Sequence, residues 1–415
     1  MQKVLVVEDS LPFKKLLERE LFHGGYEPVV ATSIAEAEAI LNSSTDFLCA
    51  ILDYCLPDGA DGEVIDLCLS MNIKVIVLTS IMDDSTREKV LAKPVIDYIP
   101  KDTRACVDFI VPLLRRLEKN HGHKVLVADD SLMARRYITN LLERQNLRVV
   151  EACDGLEALE YLESDPEISL VISDYNMPKM DGIAFIRSAR MRLRHRRLAI
   201  IGLSASDEHA LTAKFLKVGA NDFLTKPLNQ EEFYCRLHST LNALDAERQA
   251  FQLANTDYLT GCWNRRYFFE HPMTKKHNPD MCLAILDLDN FKHLNDAFGH
   301  LAGDQVLKSF AKLLTEHFPD DLICRFGGEE FCVLTECNIA EFEKQMFKVL
   351  SKVREKVVHW GEHYITFTLS AGIATGSTDI QRLLQYADNA LYRAKTAGRN
   401  RIKLAVTNQT VLEID

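Results

Sequence analysis

The sequence predicts an α/β chain of three domains: two copies of one parallel-sheet unit, followed by a domain of different pattern. Three observations predict it. Long segments of the first and second thirds match each other. Within each copy, short apolar runs alternate with helical patterns, the mark of βαβ units. After Thr256 the pattern changes, and two apolar runs are joined through Gly327-Gly328. Length agrees, since 415 residues make about three domains at roughly 150 each.

Composition narrows the class. The chain is 47% hydrophobic and 26% charged, enough for several packed cores. A net charge of −11 argues against general nucleic-acid binding, although a nucleotide can still be held locally through a metal ion and a few bases. The eleven cysteines are odd in number and show no CxxC pair or zinc-ligand spacing, which points to reduced thiols in the cytoplasm. The opening "MQKVLVVEDS" has only a short apolar run before two acids, so it reads as a strand, not a signal peptide. No apolar run reaches the roughly 18 residues of a membrane span, so membrane insertion is not expected.

The repeat is exact enough to align by number. "KVLVVEDSLPFKKLLEREL" from Lys3 matches "KVLVADDSLMARRYITNLL" from Lys124. Asp9 to Asp130 and Asp53 to Asp174 are both offset by 121, whereas Thr79 to Ser204 and Lys101 to Lys226 are offset by 125. The difference of four falls near the basic run "RMRLRHRR", residues 190–197. That run reads either as a solvated helix end or as a contact for a nucleotide or an acidic surface.

Polar residues sit where the apolar runs end, the place where open α/β sheets build sites. In the first copy these are Glu8, Asp9, Asp53, Thr79 and Lys101; in the second, Asp129, Asp130, Asp174, Ser204 and Lys226. Clustered carboxylates repel and need a cation, and oxygen-only ligands suit Mg²⁺. A metal and a lysine beside one aspartate would prepare it to accept a phosphoryl group.

This constellation resembles the receiver domain of two-component response regulators, twice, over residues 1–118 and 122–244. The resemblance implies a flavodoxin-like fold with a five-stranded parallel sheet of order 2-1-3-4-5. It makes Asp53 and Asp174 phosphoacceptors, and Glu8, Asp9, Asp129 and Asp130 the metal acids. Thr79 and Ser204 become switch hydroxyls, Tyr98 and Phe223 switch aromatics, and Lys101 and Lys226 the lysines. A sensor histidine kinase or phosphotransfer protein would be the partner. The first copy departs from the pattern with Lys101-Asp102, where the second has Lys226-Pro227. A structural or dimerisation role for the first copy stays open.

Between the repeat and the last domain no proline or glycine occurs from Leu228 to Tyr258. Tyr234, Leu237, Leu241, Leu244, Arg248 and Phe251 fall at alternating spacings of three and four, a coiled-coil-like stripe. We expect a connecting helix over residues 229–255. Its first half covers its own domain, and its second half is expected to pair across a dimer.

In the last domain a strand ends in Asp287 and Asp289, and "ICRFGGEEF" follows about 40 residues later. If the two strands pair, Asp287 and Glu329 lie side by side and can hold Mg²⁺ for a nucleotide phosphate. The glycines allow a tight turn and a close approach to ligand. A plain hairpin accounts for the glycines alone, but not for Glu329 and Glu330 beside Asp287.

Residues 250–405 resemble the GGDEF domain of diguanylate cyclases in its GGEEF form, leaving a tail at 406–415. The motifs occur in order: "DYLTGCWNRRYF", "DLDNFKHLNDAFGHLAGD", "RFGGEEF", "LSAGIA" and "ADNALYRAKTAGRNRI". The receiver–receiver–GGDEF order is similar to regulators of the PleD type. The resemblance implies a palm-like α+β fold, GTP as substrate, Mg²⁺ as cofactor and a homodimer for catalysis. By it, Asp287, Glu329 and the Leu288 carbonyl hold metal, and Glu329 or Glu330 assists the 3′-hydroxyl. Asn295 and Asp304 read guanine, whose N1–H and N2–H₂ donors suit a carboxylate. Lys292, Lys395 and Arg399 contact phosphates. The family's product-inhibition motif RxxD reads "FPDD" here, with Phe318 in place of arginine and Asp321 retained. A phenyl ring cannot replace the arginine fork. The expected protein is a phosphorylation-regulated diguanylate cyclase; a catalytically silent nucleotide-binding scaffold or a phosphorelay adaptor are the alternatives.

Overall fold

We describe the chain from a computed structural model, over residues 1–80, 83–101, 105–194, 196–205, 209–271, 273, 281–377 and 379–406. Asp102 beside Lys101, His195 of the arginine run and the tail from 407 lie outside the described residues. The chain divides into two compact units, Met1–Glu247 and Arg248–Asp415.

The first unit contains both repeats. The first repeat runs β1 (Gln2–Val7), α1 (Leu11–Gly24), β2 (Tyr26–Ala31), α2 (Ile34–Ser43), β3 (Cys49–Asp53), α3 (Glu63–Ser70), β4 (Val75–Thr79), α4 (Asp84–Leu91), β5 (Asp97–Pro100) and α5 (Ala105–Asn120). The second runs β6 (Lys124–Ala128), α6 (Leu132–Arg144), β7 (Arg148–Ala152), α7 (Gly155–Ser164), β8 (Ile168–Asp174), α8 (Gly182–Arg192), β9 (Ala199–Ser204), α9 (His209–Lys217), β10 (Asp222–Thr225) and α10 (Gln230–Asn255). Each repeat forms a five-stranded parallel sheet, β2-β1-β3-β4-β5 in the first and β10-β9-β8-β6-β7 in the second. The central strands β3, β4, β8 and β9 are buried along their whole length, as strands covered by helices on both faces must be. Their last residues, Asp53, Thr79, Asp174 and Ser204, are therefore delivered together to one edge.

A buried polar network joins the two repeats. Gln145, at the end of α6, donates through Nε2 to the Ile96 carbonyl (2.9 Å) and accepts from the Asn120 amide at its own carbonyl (2.6 Å). Arg116 on α5 donates to Asn120 Oδ1 (2.7 Å) and pairs with Asp245 on α10 (2.6 Å). His123 meets the other Asp245 oxygen at 2.9 Å. Lys74 caps α6 by donating to the Glu143 and Arg144 carbonyls (3.1 and 3.2 Å). Asn120 and Gln145 are completely buried, so each of these bonds replaces water that neither group can reach.

The arginine run is not a solvated helix end, because two of its arginines are partly buried against backbone carbonyls of their own repeat. Arg190 donates to the Gly219 and Leu198 carbonyls, Arg196 to the Leu162 and Asp165 carbonyls, and Arg197 pairs with Glu247. The apolar stripe of α10 also departs from expectation in its second half. Tyr234, Leu237, Leu241 and Leu244 are buried in the second repeat's core. Phe251 packs edge-on against Trp263 (6.1 Å) and Tyr267 (5.6 Å) of its own unit. The stripe thus has a partner within the chain, which the helical spacing alone could not reveal.

The second unit continues with β11 (Trp263–Asn264), α11 (Arg265–Glu270), β12 (Cys282–Leu288), α12 (Phe291–Phe298), α13 (His300–His317), β13 (Leu322–Gly327), β14 (Glu330–Thr335), α14 (Ile339–Glu355), β15 (Val357–Trp360), β16 (His363–Thr366), β17 (Leu369–Thr375), α15 (Ile380–Thr396) and β18 (Ile402–Val406). Its sheet has the order β11-β13-β14-β12-β17-β18, with β12 antiparallel to both neighbours. Helices α13 and α14 cover one face and α11 and α15 the other. At Gly372 a Cβ would lie 2.0 Å from the Ala387 carbonyl, so β17 and α15 meet backbone to backbone. Among the described residues no helix is long and apolar enough to cross a membrane.

The junction of the repeats carries a pH prediction. Asp97 opens β5 and lines a groove with Tyr98, Phe109, Glu231 and His238. Burial raises Asp97 from 3.8 to about 6, so its uncharged form favours folding and that contribution is lost as pH rises through about 6. Burial, then Arg116, lowers His238 from 6.5 to about 4; its contribution is full above 6.5 and is lost as pH falls through about 4. The two slopes oppose each other. Asp97→Asn removes the first, so the variant gains about 2 kcal/mol relative to the parent between about pH 4 and pH 7, allowing for partial solvent screening. Urea denaturation across that range checks this, and a constant difference contradicts it.

Candidate functional site

In the first repeat, β1 and β3 end side by side, bringing Glu8 and Asp53 together with Asp9 beyond them. Carboxylate oxygens of all three lie within 4.8 Å of one another. Lys101 follows β5, whose ladder to β4 continues through the Lys101 N–H to the Thr79 carbonyl (2.7 Å). Its ammonium reaches Glu8 (2.7 Å) and Asp53 (2.5 Å) and lies over the Phe13 ring at 4.9 Å. Burial raises the Glu8 pKa, and the Lys101 contact only partly offsets it. Thr79 and Tyr98 are both buried beside this edge.

The second repeat builds the same figure with different residues. Oxygens of Asp129, Asp130 and Asp174 cluster within 4.8 Å. Lys226 reaches Asp129 and Asp174, each at 2.6 Å. Burial raises Asp174, against the pull of Lys226. Burial alone would lower Lys226, but its two carboxylates outweigh it and raise the pKa. Ser204 is buried, and Phe223 packs against Phe215 at 5.2 Å. This lysine is more open: the Lys226 side chain is 24% exposed, against 8% for Lys101, which Phe13 covers.

In the second unit the hairpin β13–β14 closes at Gly327↔Glu330, with Gly328 and Glu329 at its tip. Gly327 and Gly328 have φ of 154° and 51°, which a residue with a Cβ rarely adopts. The register sets Asp287 opposite Glu330, and the Leu288 N–H points to the Glu329 carbonyl at 3.4 Å. The structure thus brings Asp287, Leu288, Glu329 and Glu330 together. Asp287 is buried and its pKa is raised by burial, with Lys395 opposing and Glu329 and Glu330 adding. Lys395, on α15, holds Asp287 at 2.7 Å.

The remaining site residues surround this hairpin. Helices α12 and α13 touch where Gly303 meets Asn295: a Cβ there would lie 1.9 Å from Asn295 Oδ1. Asn295 is thereby set against the residue preceding Asp304. Lys292 and Arg399 are exposed. Phe318, where the inhibition motif has arginine, is buried in the core against Phe342 (5.8 Å), and Asp321 is half-buried with its pKa raised by that burial. Sequence reasoning missed a clamp on the hairpin. Arg325 donates to the Gly328 carbonyl (2.9 and 2.7 Å) and to Asp257 (2.9 Å), which also accepts from the Thr260 N–H and hydroxyl. The signal was present, since Asp257 and Arg325 each sit inside a quoted motif.

Residues 254–401 match the family described as diguanylate cyclase, GGDEF domain, and residues 125–238 match the response regulator receiver domain. The chain belongs to the receiver–GGDEF response regulators. It is 29% identical to the response regulator PleD of Caulobacter vibrioides, over 96% of this chain and 98% of PleD. It is 34% identical to the diguanylate cyclase DgcP of Pseudomonas aeruginosa, over 50% of this chain and 36% of that one. A solved two-component response regulator/GGDEF domain protein is 38% identical, with a TM-score of 0.54, covering 59% of this chain and all of that one. Within this receiver–GGDEF chain the receiver-family match falls on the second repeat, and the PleD alignment spans the first as well.

The two repeat sites gather oxygen-only donor sets, which fit Mg²⁺; at the hairpin Asp287, Glu329 and Glu330 are oxygen donors of the same kind but do not converge as closely. In each, a lysine neutralises the carboxylates. Lys395→Met should lower stability in EDTA by about 2 kcal/mol, because it strands a buried carboxylate, with some relief from the partial exposure of the pair. Adding Mg²⁺ should then stabilise the variant more than the parent. Melting curves with and without Mg²⁺ check this; equal Mg²⁺ responses contradict it.

Proposed function

We propose that this receiver–GGDEF chain is a diguanylate cyclase controlled by phosphorylation, condensing two GTP into cyclic di-GMP and two pyrophosphates. The observation that carries the reading is the hairpin that sets Glu329 and Glu330 against Asp287 and Leu288. Each protomer holds one GTP, so two protomers must face each other in a homodimer. The 3′-oxygen of one GTP attacks the α-phosphorus of the other; a P–O bond forms, the bond to pyrophosphate breaks, and the hydroxyl proton leaves. Repeated in reverse sense, the two attacks close the ring.

Asp287, Glu329 and the Leu288 carbonyl would hold Mg²⁺, whose chemistry is charge stabilisation on the phosphate oxygens. Glu329, with Glu330 beside it, accepts the 3′-hydroxyl proton. Asn295 and Asp304 bind the guanine edge. Lys292, Lys395 and Arg399 carry the triphosphate charge, Lys395 exchanging its Asp287 contact for phosphate. The sheet with antiparallel β12 and β14 presenting acids to a nucleotide is palm-like.

Residues 1–118 and 122–244 act as flavodoxin-like receivers, and 250–405 as the cyclase, with α10 between. Asp53 and Asp174 are the phosphoacceptors; Glu8, Asp9, Asp129 and Asp130 would hold Mg²⁺, and Thr79, Tyr98, Ser204 and Phe223 report the modification. A histidine kinase or phosphotransfer protein in the cytoplasm donates the phosphoryl group. Phosphorylation then raises the effective concentration of one GTP half-site near the other.

Purified protein with GTP and Mg²⁺ should form cyclic di-GMP, and more of it with beryllofluoride as aspartyl-phosphate mimic. Glu329→Gln should reduce turnover by at least about 100-fold. No product from folded protein supports a silent scaffold instead. Because Phe318 is buried in the core, cyclic di-GMP should not inhibit through the RxxD position. Product titration into the turnover assay tests this, and strong low-micromolar inhibition overturns it.

A further inference from the structure

The second aspartate of "DLD" does something other than its neighbour. Asp289 is 8% exposed, and both of its oxygens are taken by its own chain. Oδ1 accepts from the Ser370 hydroxyl at 2.6 Å. Oδ2 accepts from the Thr368 hydroxyl (2.8 Å) and from the backbone N–H of Asn400 (2.9 Å). One carboxylate therefore ties the end of β12 to the start of β17 and to the turn between α15 and β18.

That turn is costly in itself. Arg399 and Asn400 are consecutive residues with φ of 61° and 51°, in the left-handed region. Such a pair persists only where surrounding contacts over-determine it. A second stay comes from α14, where Arg354 donates to the Asn400 side-chain oxygen (2.9 Å) and carbonyl (2.8 Å). The Arg399 N–H closes the end of α15 by donating to the Ala394 carbonyl (3.0 Å). The turn thus carries Arg399 itself and caps the helix that presents Lys395. Both cations are registered to the strand of Asp287.

We propose that Asp289 is a positioning residue, assisted by Arg354, which holds the Arg399 turn against the triphosphate site. This rests on the reading of Arg399 as a phosphate contact. A carboxylate committed to three internal donors is not the free ligand that a metal role would need. Asp289→Asn keeps the shape but presents an amide N–H₂ to a donor, so one stay is lost.

The test is steady-state turnover of the full chain at varied GTP and Mg²⁺. Asp289→Asn and Arg354→Met should each raise KM for GTP by about tenfold, since small misplacements of a positioned group carry penalties of this order. The Mg²⁺ concentration for half-maximal rate should stay as in the parent. In an Arg399→Ala background, neither substitution should raise KM further, as coupled residues predict. Additive effects in that background, or a shifted Mg²⁺ requirement in Asp289→Asn, overturn the proposal. If Arg399→Ala alone leaves KM and kcat unchanged, the phosphate reading fails, and the proposal with it. Should Asp289→Asn not fold, Arg354→Met, on an exposed helix end, carries the same comparison.

Discussion

A carboxylate that must be buried to be useful needs a cation at hand, and this chain meets that need three times with lysine. Lys101 sits between Glu8 and Asp53, Lys226 between Asp129 and Asp174, and Lys395 against Asp287. Removing such charges from water is expensive, and an unpaired one would protonate or unfold the site. The lysines let each cluster form within the protein alone. Lys101 and Lys226 follow the edge strands β5 and β10, whereas Lys395 comes from α15 on the face of the third sheet. The close packing at Gly372 serves the third case, because α15 can bring Lys395 to Asp287 only if it lies on the backbone of β17.

The strand ends do the rest of the positioning. In both repeats the parallel ladder delivers an acid, a hydroxyl and a lysine to one edge without any side chain having to reach far. In the second unit the antiparallel pair β12–β14 achieves the same with a turn. There the glycines matter for their φ angles, and Arg325 locks the tip from outside by holding the Gly328 carbonyl. The hairpin tip is thereby fixed by the chain itself before any ligand arrives.

Much of this was legible in the sequence, because the signals were local or repeated. Offsets of 121 and 125 paired the two copies residue by residue, and the strands ended where the polar residues began. That the Asp287 strand would meet the hairpin followed from two apolar runs and a Gly-Gly turn, but the register sets Glu330, not Glu329, opposite Asp287. What stayed hidden depended on distant contacts. Nothing in the spacing of Phe251 distinguished a dimer seam from Trp263 and Tyr267, a dozen or more residues further on. Asp289 had no role assigned from the sequence, because its partners Ser370, Thr368 and Asn400 lie 79 to 111 residues further on. Arg354 carried no sequence signal, since an arginine near a helix end is usually solvated.

The junction between the repeats explains why the first copy need not look like a typical receiver to matter. Helix α10 is the last helix of the second repeat, buried there through Tyr234, Leu237 and Leu241. Its other side is gripped by the first repeat, through Arg87 to Glu231 and Arg116 to Asp245. Tyr98, beside the proposed phosphoacceptor edge of the first copy, lines the groove against Glu231 and His238 of this same helix. Losing Arg116, Asn120 or Gln145 would strand a partner where water has little access, so that part of the junction resists small adjustments. Both copies therefore hold the same helix. A substitution that loosens Gln145 or Arg116 should be felt on that helix even with both acidic clusters intact.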